Sequence, residues 1–287
     1  MGADGVVLVT GATGTVGREL VGRLLLAGQR VRAGVRDPSS ANLPADVDVI
    51  HLDFADPSSA APAVEGVDRI FLMRPPAISD VRTALGPLVT AAARTGVRRV
   101  VVLSVMGVNP ALPHWRMEKM VTAAGLEMTA LRPAYFSQNL ITAFGREIRE
   151  RSQLRLASGD GRVSFVDTRD VAAVAATVFA DLQAWPPQPL TLTGPQALTF
   201  TDAAAILKAE LGRPVRYLRQ SFWQRRAALL AQGMESGYVT VQLVIDLTTR
   251  LGLARKMTQE IPRILGRPAT TLAEFVHDHR DAWLQQP

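Results

Sequence analysis

Residues 6–10, Val-Val-Leu-Val-Thr, run directly into Gly11-Ala12-Thr13-Gly14-Thr15-Val16-Gly17, and a stretch over 16–27 follows with Val16, Leu20, Leu24, Val21 and Leu25 on one face. A short apolar strand that turns through three glycines into an amphipathic helix admits few folds. The three glycines serve different physical ends, namely a tight turn, a close backbone approach to a diphosphate, and close packing of helix on strand. The free amides and the positive end of the helix dipole then face an anion. The spacing is Gly-x-x-Gly-x-x-Gly rather than the commoner Gly-x-Gly-x-x-Gly.

The segments after this loop alternate between β-rich and helical patterns, over 31–35, 49–53, 70–73, 85–95, 100–104, 114–124 and 128–132. Such alternation predicts a parallel sheet with crossover helices. Val100-Val101-Val102-Leu103 is a continuous apolar run, as expected of a strand covered on both faces. After Arg132-Pro133 the pattern changes. Gly159-Asp160-Gly161 reads as a turn, Asp170 as the cap of a helix over 171–180, and 190–193 as a late strand that completes the sheet. Helical stretches over 201–211, 223–232 and 239–251 follow, and residues 185–189, Trp-Pro-Pro-Gln-Pro, read as an exposed linker. The fold class expected is α/β: a Rossmann-type, doubly wound parallel sheet with a smaller, mainly helical C-terminal substrate lobe. Residues 1–133 and 160–197 are expected to form the dinucleotide-binding domain, and 134–159 with 198–287 the lobe that covers the substrate.

Composition narrows the function. With no cysteine among 287 residues, disulfides, thiolate metal sites and a cysteine nucleophile are excluded, which fits a cytoplasmic chain. His51, His114, His277 and His279 lack metal-ligand spacing, so no metal is expected, and no flavin either. Residues 6–9 are too short for a secretory apolar region and 171–180 too short to span a bilayer, so no membrane partner is expected. The formal charge is +6, and arginine supplies all but three of the 32 basic residues. The densest basic stretch, 146–155, is interleaved with Glu147 and Glu150 and reads as a solvated helix face, so no nucleic-acid partner is expected. The partner expected is a small-molecule substrate, with monomer and homodimer both open.

Arg36 stands after the second strand, where this kind of fold usually places an acid for the ribose 2′-hydroxyl. A guanidinium instead clamps a 2′-phosphate, so NADPH (NADP+) is favoured over NADH. Asp37, adjacent, is read either as an acid that would counter this preference or as the start of the turn Asp37-Pro38-Ser39. Asp53 and Phe54, after the third strand, are read either as an adenine contact or as a strand-end turn.

The glycine loop, Val35-Arg36-Asp37-Pro38, Leu103-Ser104, residues 114–118 (His-Trp-Arg-Met-Glu), 131–136 (Leu-Arg-Pro-Ala-Tyr-Phe) with Asn139-Leu140, and 165–172 (Phe-Val-Asp-Thr-Arg-Asp-Val-Ala) together resemble the short-chain dehydrogenase/reductase superfamily, and within it the atypical NmrA-like group. Leu192-Thr193-Gly194-Pro195 and Gly212-Arg213-Pro214-Val215 are similar too. That group holds NAD(P)H-dependent quinone and azo-type reductases, phenylpropanoid reductases and ergot-alkaloid iminium reductases, beside dinucleotide-sensing regulators. The resemblance implies a cofactor groove made by Gly11, Thr13, Gly14, Thr15, Val16, Gly17, Arg36, Asp53 and Phe54, with Met73, Arg74 and Pro75 beside the ribose. Ser104, Val105 and Met106 would lie near the nicotinamide, and Pro133, Tyr135 and Phe136 would border it towards the substrate.

Most short-chain reductases use Tyr-x-x-x-Lys, and this chain lacks it. Aligned on Glu118, His114 takes the lysine position and Pro110 the tyrosine position. His114 shares a face with Met117 and Val121 and should point inwards, either as a core residue or as a hydrogen-bonding catalytic group. Ser104 and Tyr135 are further candidates for catalysis, each balanced by an ordinary structural role. Substrate contacts are expected from Met106, Tyr135, Asn139, Phe222, Trp223, Met234 and Tyr238, with Leu243 adding to an aromatic and apolar pocket. An already electrophilic acceptor needs little proton donation, so loss of the tyrosine–lysine pair is tolerable. The function expected is an NADPH-dependent reductase of an apolar conjugated or carbonyl substrate, such as a quinone, enone or iminium; the alternative is a non-catalytic NADP(H)-sensing regulator.

Overall fold

The computed structural model describes residues 5–284; the ends of the two expected domains, 1–4 and 285–287, lie outside them. The first part of the chain runs β1 (Val6–Thr10), α1 (Thr15–Leu26), β2 (Arg30–Val35), β3 (Asp48–His51), α2 (Ala60–Val64), β4 (Val67–Met73), α3 (Val81–Arg94), β5 (Arg99–Leu103), α4 (Pro113–Ala123) and β6 (Met128–Pro133). It then builds β7 (Tyr135–Phe136), α5 (Asn139–Thr142), α6 (Gly145–Arg151), β8 (Gln153–Leu156) and β9 (Arg162–Val166). Next come α7 (Thr168–Ala180), β10 (Pro189–Leu192), β11 (Ala197–Thr199), α8 (Phe200–Leu211), β12 (Arg216–Arg219), α9 (Phe222–Ala231) and α10 (Ser236–Arg250). Three short helices close the chain: α11 (Glu260–Leu265), α12 (Leu272–Asp278) and α13 (Asp281–Leu284).

Two compact units result. The first, residues 1–133, 168–192 and 260–266, holds a seven-stranded sheet in the order β10-β6-β5-β4-β1-β2-β3, every pair parallel. This is a Rossmann-type α/β fold. Val6 and Leu8 of β1 pack with Leu85, Leu88, Met117 and Val121 of α3 and α4, whereas Val7 and Val9 point to the opposite face, where α1 packs on α7. All five β1 residues are buried, which is why the strand reads as an unbroken apolar run.

Several arginines of this unit are structural. Arg69, 4% exposed, donates to the carbonyls of Phe179 and Gly5, and Arg99, 2% exposed, donates to Thr129 Oγ1 and the Trp185 carbonyl. The positive charge of the chain is thus partly used to satisfy carbonyls at loop ends.

The second unit, residues 134–167, 193–259 and 267–287, has its own core of Leu140, Phe144, Ile148, Phe165, Phe200, Leu207, Phe275 and Trp283. It contains two small sheets, β11-β9-β7 and β12-β8. Residues 160–167 and 193–197, expected in the dinucleotide-binding domain, cluster with the second unit, where β9 pairs antiparallel with β11 and parallel with β7. These strands of two to five residues carry no usable alternation, and partners distant in sequence define them. Helix α7 begins at Thr168, so Asp170 is a buried residue of its first turn rather than its cap. Residues 185–189 are largely exposed and lead from α7 into β10 inside the first unit, with the Arg263 guanidinium 5.1 Å over the Trp185 ring. Among the described residues no helix is long and apolar enough to cross a membrane.

Candidate cofactor and active site

The carboxyl ends of β1 and β4 are joined by Thr10. Its buried hydroxyl donates to the Phe71 carbonyl at 3.0 Å and accepts from the Met73 amide at 2.9 Å. Gly11 follows with φ +61°, the left-handed turn, and a Cβ there would meet Met73 Sδ at 2.0 Å. A Cβ on Gly17 would fall 2.2 Å from the Gly11 carbonyl oxygen, a backbone atom, so Gly17 sets the closeness of helix to loop. Gly14 is the N-cap of α1 in extended conformation, with no side chain capping the helix and no acid in its first turn. Thr13, Gly14 and Thr15 are exposed. The Gly14 amide closes the turn on the Gly11 carbonyl at 2.9 Å, and the amides of the first turn of α1 are left without helical partners at an exposed helix start, a polarity that suits an anion.

Arg36 lies directly beyond β2, exposed, and its guanidinium has no hydrogen-bond or ion-pair partner among the described residues. Asp37 does not compete for it. Its Oδ1 accepts from the Ser39 hydroxyl at 2.6 Å and the Ser39 amide at 3.0 Å, bonds that hold the carboxyl below the usual carboxylate range. Asp53 caps a turn in the same manner, accepting from the Ala55 amide at 2.9 Å, while Phe54 packs half-buried against the core. An unpaired cation beside an uncapped helix start suits a dinucleotide with an extra phosphate.

The second cluster of this unit lies around the start of α4. Pro113 occupies the first turn of that helix, and Met117, Glu118 and Val121 are its buried residues. His114 has a buried Nδ1 with no partner among the described residues. Burial, then the positive charge of Arg74, pulls its pKa down to about 4 against the opposing charge of Glu118. The imidazole is therefore neutral near pH 7, a hydrogen-bonding group rather than a cationic acid. Arg74 folds onto its own loop, donating to the carbonyls of Pro75 and Pro76, both at 2.9 Å, and also to that of Ile78. Its Nε is a second buried polar atom of this cluster without a partner among the described residues.

Ser104, 5% exposed, donates its hydroxyl proton to Glu118 Oε1 at 2.5 Å, and Arg132 holds the same carboxylate through Nε at 3.0 Å and Nη2 at 2.6 Å. A hydroxyl has one proton, so Ser104 keeps only acceptor capacity while it serves Glu118. Beyond β5 the Ser104 and Met106 amides still bond to the Leu131 and Pro133 carbonyls, which fixes Ser104, Val105 and Met106 at the end of the sheet. Pro110, in the position usually held by tyrosine, is exposed in the following loop.

In the second unit, Tyr135 of β7 packs edge-on against Phe165 and Phe200, with ring centroids 5.4 and 5.7 Å away. Burial, then the nearby charge of Asp246, pushes the phenol well above its ordinary pKa, against the pull of Arg225 and a bond from Asn139. Tyr135 is thereby a firm hydrogen-bond donor and a poor source of a free proton. Asp246, 2% exposed on α10, accepts from Ser158 Oγ at 2.6 Å and faces Arg225 Nε at 3.4 Å. Burial raises its pKa in spite of that cation. Arg225, 5% exposed, has its guanidinium 5.6 Å over the Phe144 ring.

Sequence reasoning missed both Arg225 and Asp246. One signal was available: Asp246 is the single acid in the otherwise uncharged stretch 236–249. The same helices separate the expected aromatic pocket. Arg225 and Leu229 form the buried face of α9, which turns Trp223 outward, 81% exposed. Met234 and Tyr238 are each 40% exposed, Phe136 and Leu243 are half-buried, and Phe222 lies beneath the Arg250 guanidinium at 5.7 Å. Among the described residues no group of acids and histidines is arranged to hold a metal.

Comparisons with known proteins show which family and fold the chain shares. A profile of the NmrA-like family matches residues 3–276. The NAD(P)H azoreductase of Xenophilus azovorans is 33% identical, the alignment covering 97% of this chain and 99% of that protein. An NADPH-dependent quinone oxidoreductase from Escherichia coli, solved with NADPH, superposes with a TM-score of 0.84 at 26% identity over 96% of this chain and 99% of its own. The negative transcriptional regulator NmrA in complex with NADP gives 0.78 at 16% identity over 96% and 95%, a likeness of fold alone.

Proposed function

The chain belongs to the NmrA-like family, and from that membership we propose that it is an NAD(P)H-dependent oxidoreductase that prefers NADPH and reduces an apolar conjugated or carbonyl acceptor, such as a quinone, enone or iminium. The observation that carries the reading is the uncapped start of α1 at Gly14 together with the unpartnered guanidinium of Arg36 beyond β2. In this reading the free amides of the first turn of α1, residues 15–17, hold the diphosphate while that of Gly14 stays with the Gly11 carbonyl, and Arg36 grips the 2′-phosphate. Asp53 and Phe54 take the adenine end, and Met73, Arg74 and Pro75 the ribose.

Bound NADPH supplies the hydride. Ser104, with its proton committed to Glu118, accepts a hydrogen bond from an amide such as a carboxamide. His114 offers a neutral imidazole whose free Nδ1 bonds a ribose hydroxyl or a substrate oxygen. Val105, Met106 and Pro133 shape the nicotinamide end; Tyr135 and Phe136, with Asn139, Phe222, Met234 and Tyr238, are assigned to the substrate. Trp223 stays in that set only as a rim residue. An acceptor already electrophilic matches donors that hydrogen-bond well but do not release a proton readily.

The test is NADPH oxidation with a panel of quinones, enones, iminiums and azo dyes, beside dissociation constants for NADPH and NADH. Turnover with a conjugated acceptor, and NADPH bound at least tenfold tighter than NADH, is expected. No turnover across the panel would overturn the enzymatic reading; tight NADP(H) binding without turnover would assign the chain to the sensing alternative.

A further inference from the structure

We infer that the second unit carries a separate binding cleft for a small phosphate-bearing ligand, built from the turn at 159–162, the segment 219–221 after β12, and the end of α10 with the turn that follows it. The cleft encloses about 790 Å3 and lies wholly within that unit. That volume is within the range of about 300–1,000 Å3 common to small-molecule sites. Four arginines line it, Arg162, Arg219, Arg250 and Arg255, against one acidic residue, Asp160.

The charges are unequally neutralised. Arg219 pairs with Asp160, and Arg162 donates to the Ala197 carbonyl at 2.9 Å and lies 3.5 Å from Asp202. Arg250 has no carboxylate partner among the described residues; its guanidinium stacks on Phe222 at 5.7 Å. Arg255 is exposed and has no hydrogen-bond or ion-pair partner among them. Two cations therefore face the cleft without an acid, a condition that favours an anion.

The wall that carries them is held in place. A Cβ on Gly161 would fall 2.1 Å from the Thr249 carbonyl oxygen, so only glycine lets the turn lie against the end of α10. Gly159, at φ +58°, brings its bare backbone to the stem of Arg250, where a Cβ would lie 3.5 Å from Cγ. Arg250 is thus braced by a ring on one side and a turn on the other, which lowers the entropy lost when it grips a ligand. Planar arginine forks suit phosphate oxygens, and an open cleft of this volume within one unit suits a small molecule rather than a duplex.

The experiment is calorimetric titration of inorganic pyrophosphate into the full chain in saturating NADP+, so that a phosphate site in the glycine loop is already filled. One saturable site is expected, weakened at least tenfold by Arg255→Ala and by Arg250→Ala and unchanged by Lys208→Ala, an exposed cation outside the cleft. Absence of saturable binding, equal weakening by Lys208→Ala, or citrate bound as tightly as pyrophosphate would overturn the proposal. Arg255 is exposed, so its variant keeps the test valid even if Arg250→Ala fails to fold. Because the readout is pyrophosphate heat, its failure is separable from failure of the reductase reading, which is judged by NADPH turnover.

Discussion

In the first unit the groups offered to a ligand are backbone amides fixed by Gly11 and Gly17 within seven residues of sequence, whereas in the second unit Tyr135 answers to Asn139 on α5, Arg225 on α9 and Asp246 on α10. The two arrangements differ in what can break them. A backbone turn fails when a side chain intrudes, and a buried polar cluster fails when one partner is lost. In the proposed function, binding of a dinucleotide, a ligand with a fixed phosphate geometry, is assigned to the first device and recognition of the substrate to the second.

The largest expected effect tests the side-chain device. Asp246→Ala leaves Arg225 buried without its carboxylate and should destabilise the chain by about 3–5 kcal/mol, while the double variant Arg225→Met, Asp246→Leu should recover most of that loss. Urea unfolding followed by circular dichroism measures both; a single variant as stable as the parent would remove the buried pair from the account. The backbone device comes next. Gly17→Ala forces a Cβ against the Gly11 carbonyl and should cost about 1–3 kcal/mol with loss of NADP(H) binding, read by thermal shift with and without cofactor.

A smaller change sharpens the phosphate end. Arg36→Glu should weaken NADPH about tenfold to a hundredfold, about 1.4–2.8 kcal/mol, with a much smaller effect on NADH; equal losses would mean that Arg36 does not contact the 2′-phosphate. The smallest effect near neutral pH concerns His114, whose contribution develops only in acid. Its folded pKa of about 4 lies below the unfolded 6.5, so the folded state resists protonation: both states are neutral above about pH 6.5, and stability falls as pH drops through that value towards 4. In His114→Gln this part of the acid sensitivity should vanish, as melting temperatures between about pH 4 and about pH 8 would reveal.

The glycine loop, the parallel strands and the position of Arg36 were legible because each depends on residues adjacent in sequence: an apolar run, a glycine spacing, the residue after a strand. The inward turn of His114, half-buried with its Nδ1 inside, followed from its spacing to Met117 and Val121. Other features were not legible. Ser104 carries no sign that its proton goes to Glu118, fourteen residues away. Nor do β7, β9 and β11 show in a pattern, since strands so short exist only through their pairing.

The sequence by itself determined the sheet, the loop that can cradle a diphosphate and the family to which the chain belongs, because helical and strand periods and glycine conformations are local properties of the backbone. Tertiary structure alone decided that Asp246 meets Arg225, that Trp223 turns outward and that Arg250 and Arg255 come to one cleft. Those outcomes depend on which faces of separate elements pack together, and the free energy of burying or pairing a charge is fixed by neighbours that local sequence does not name.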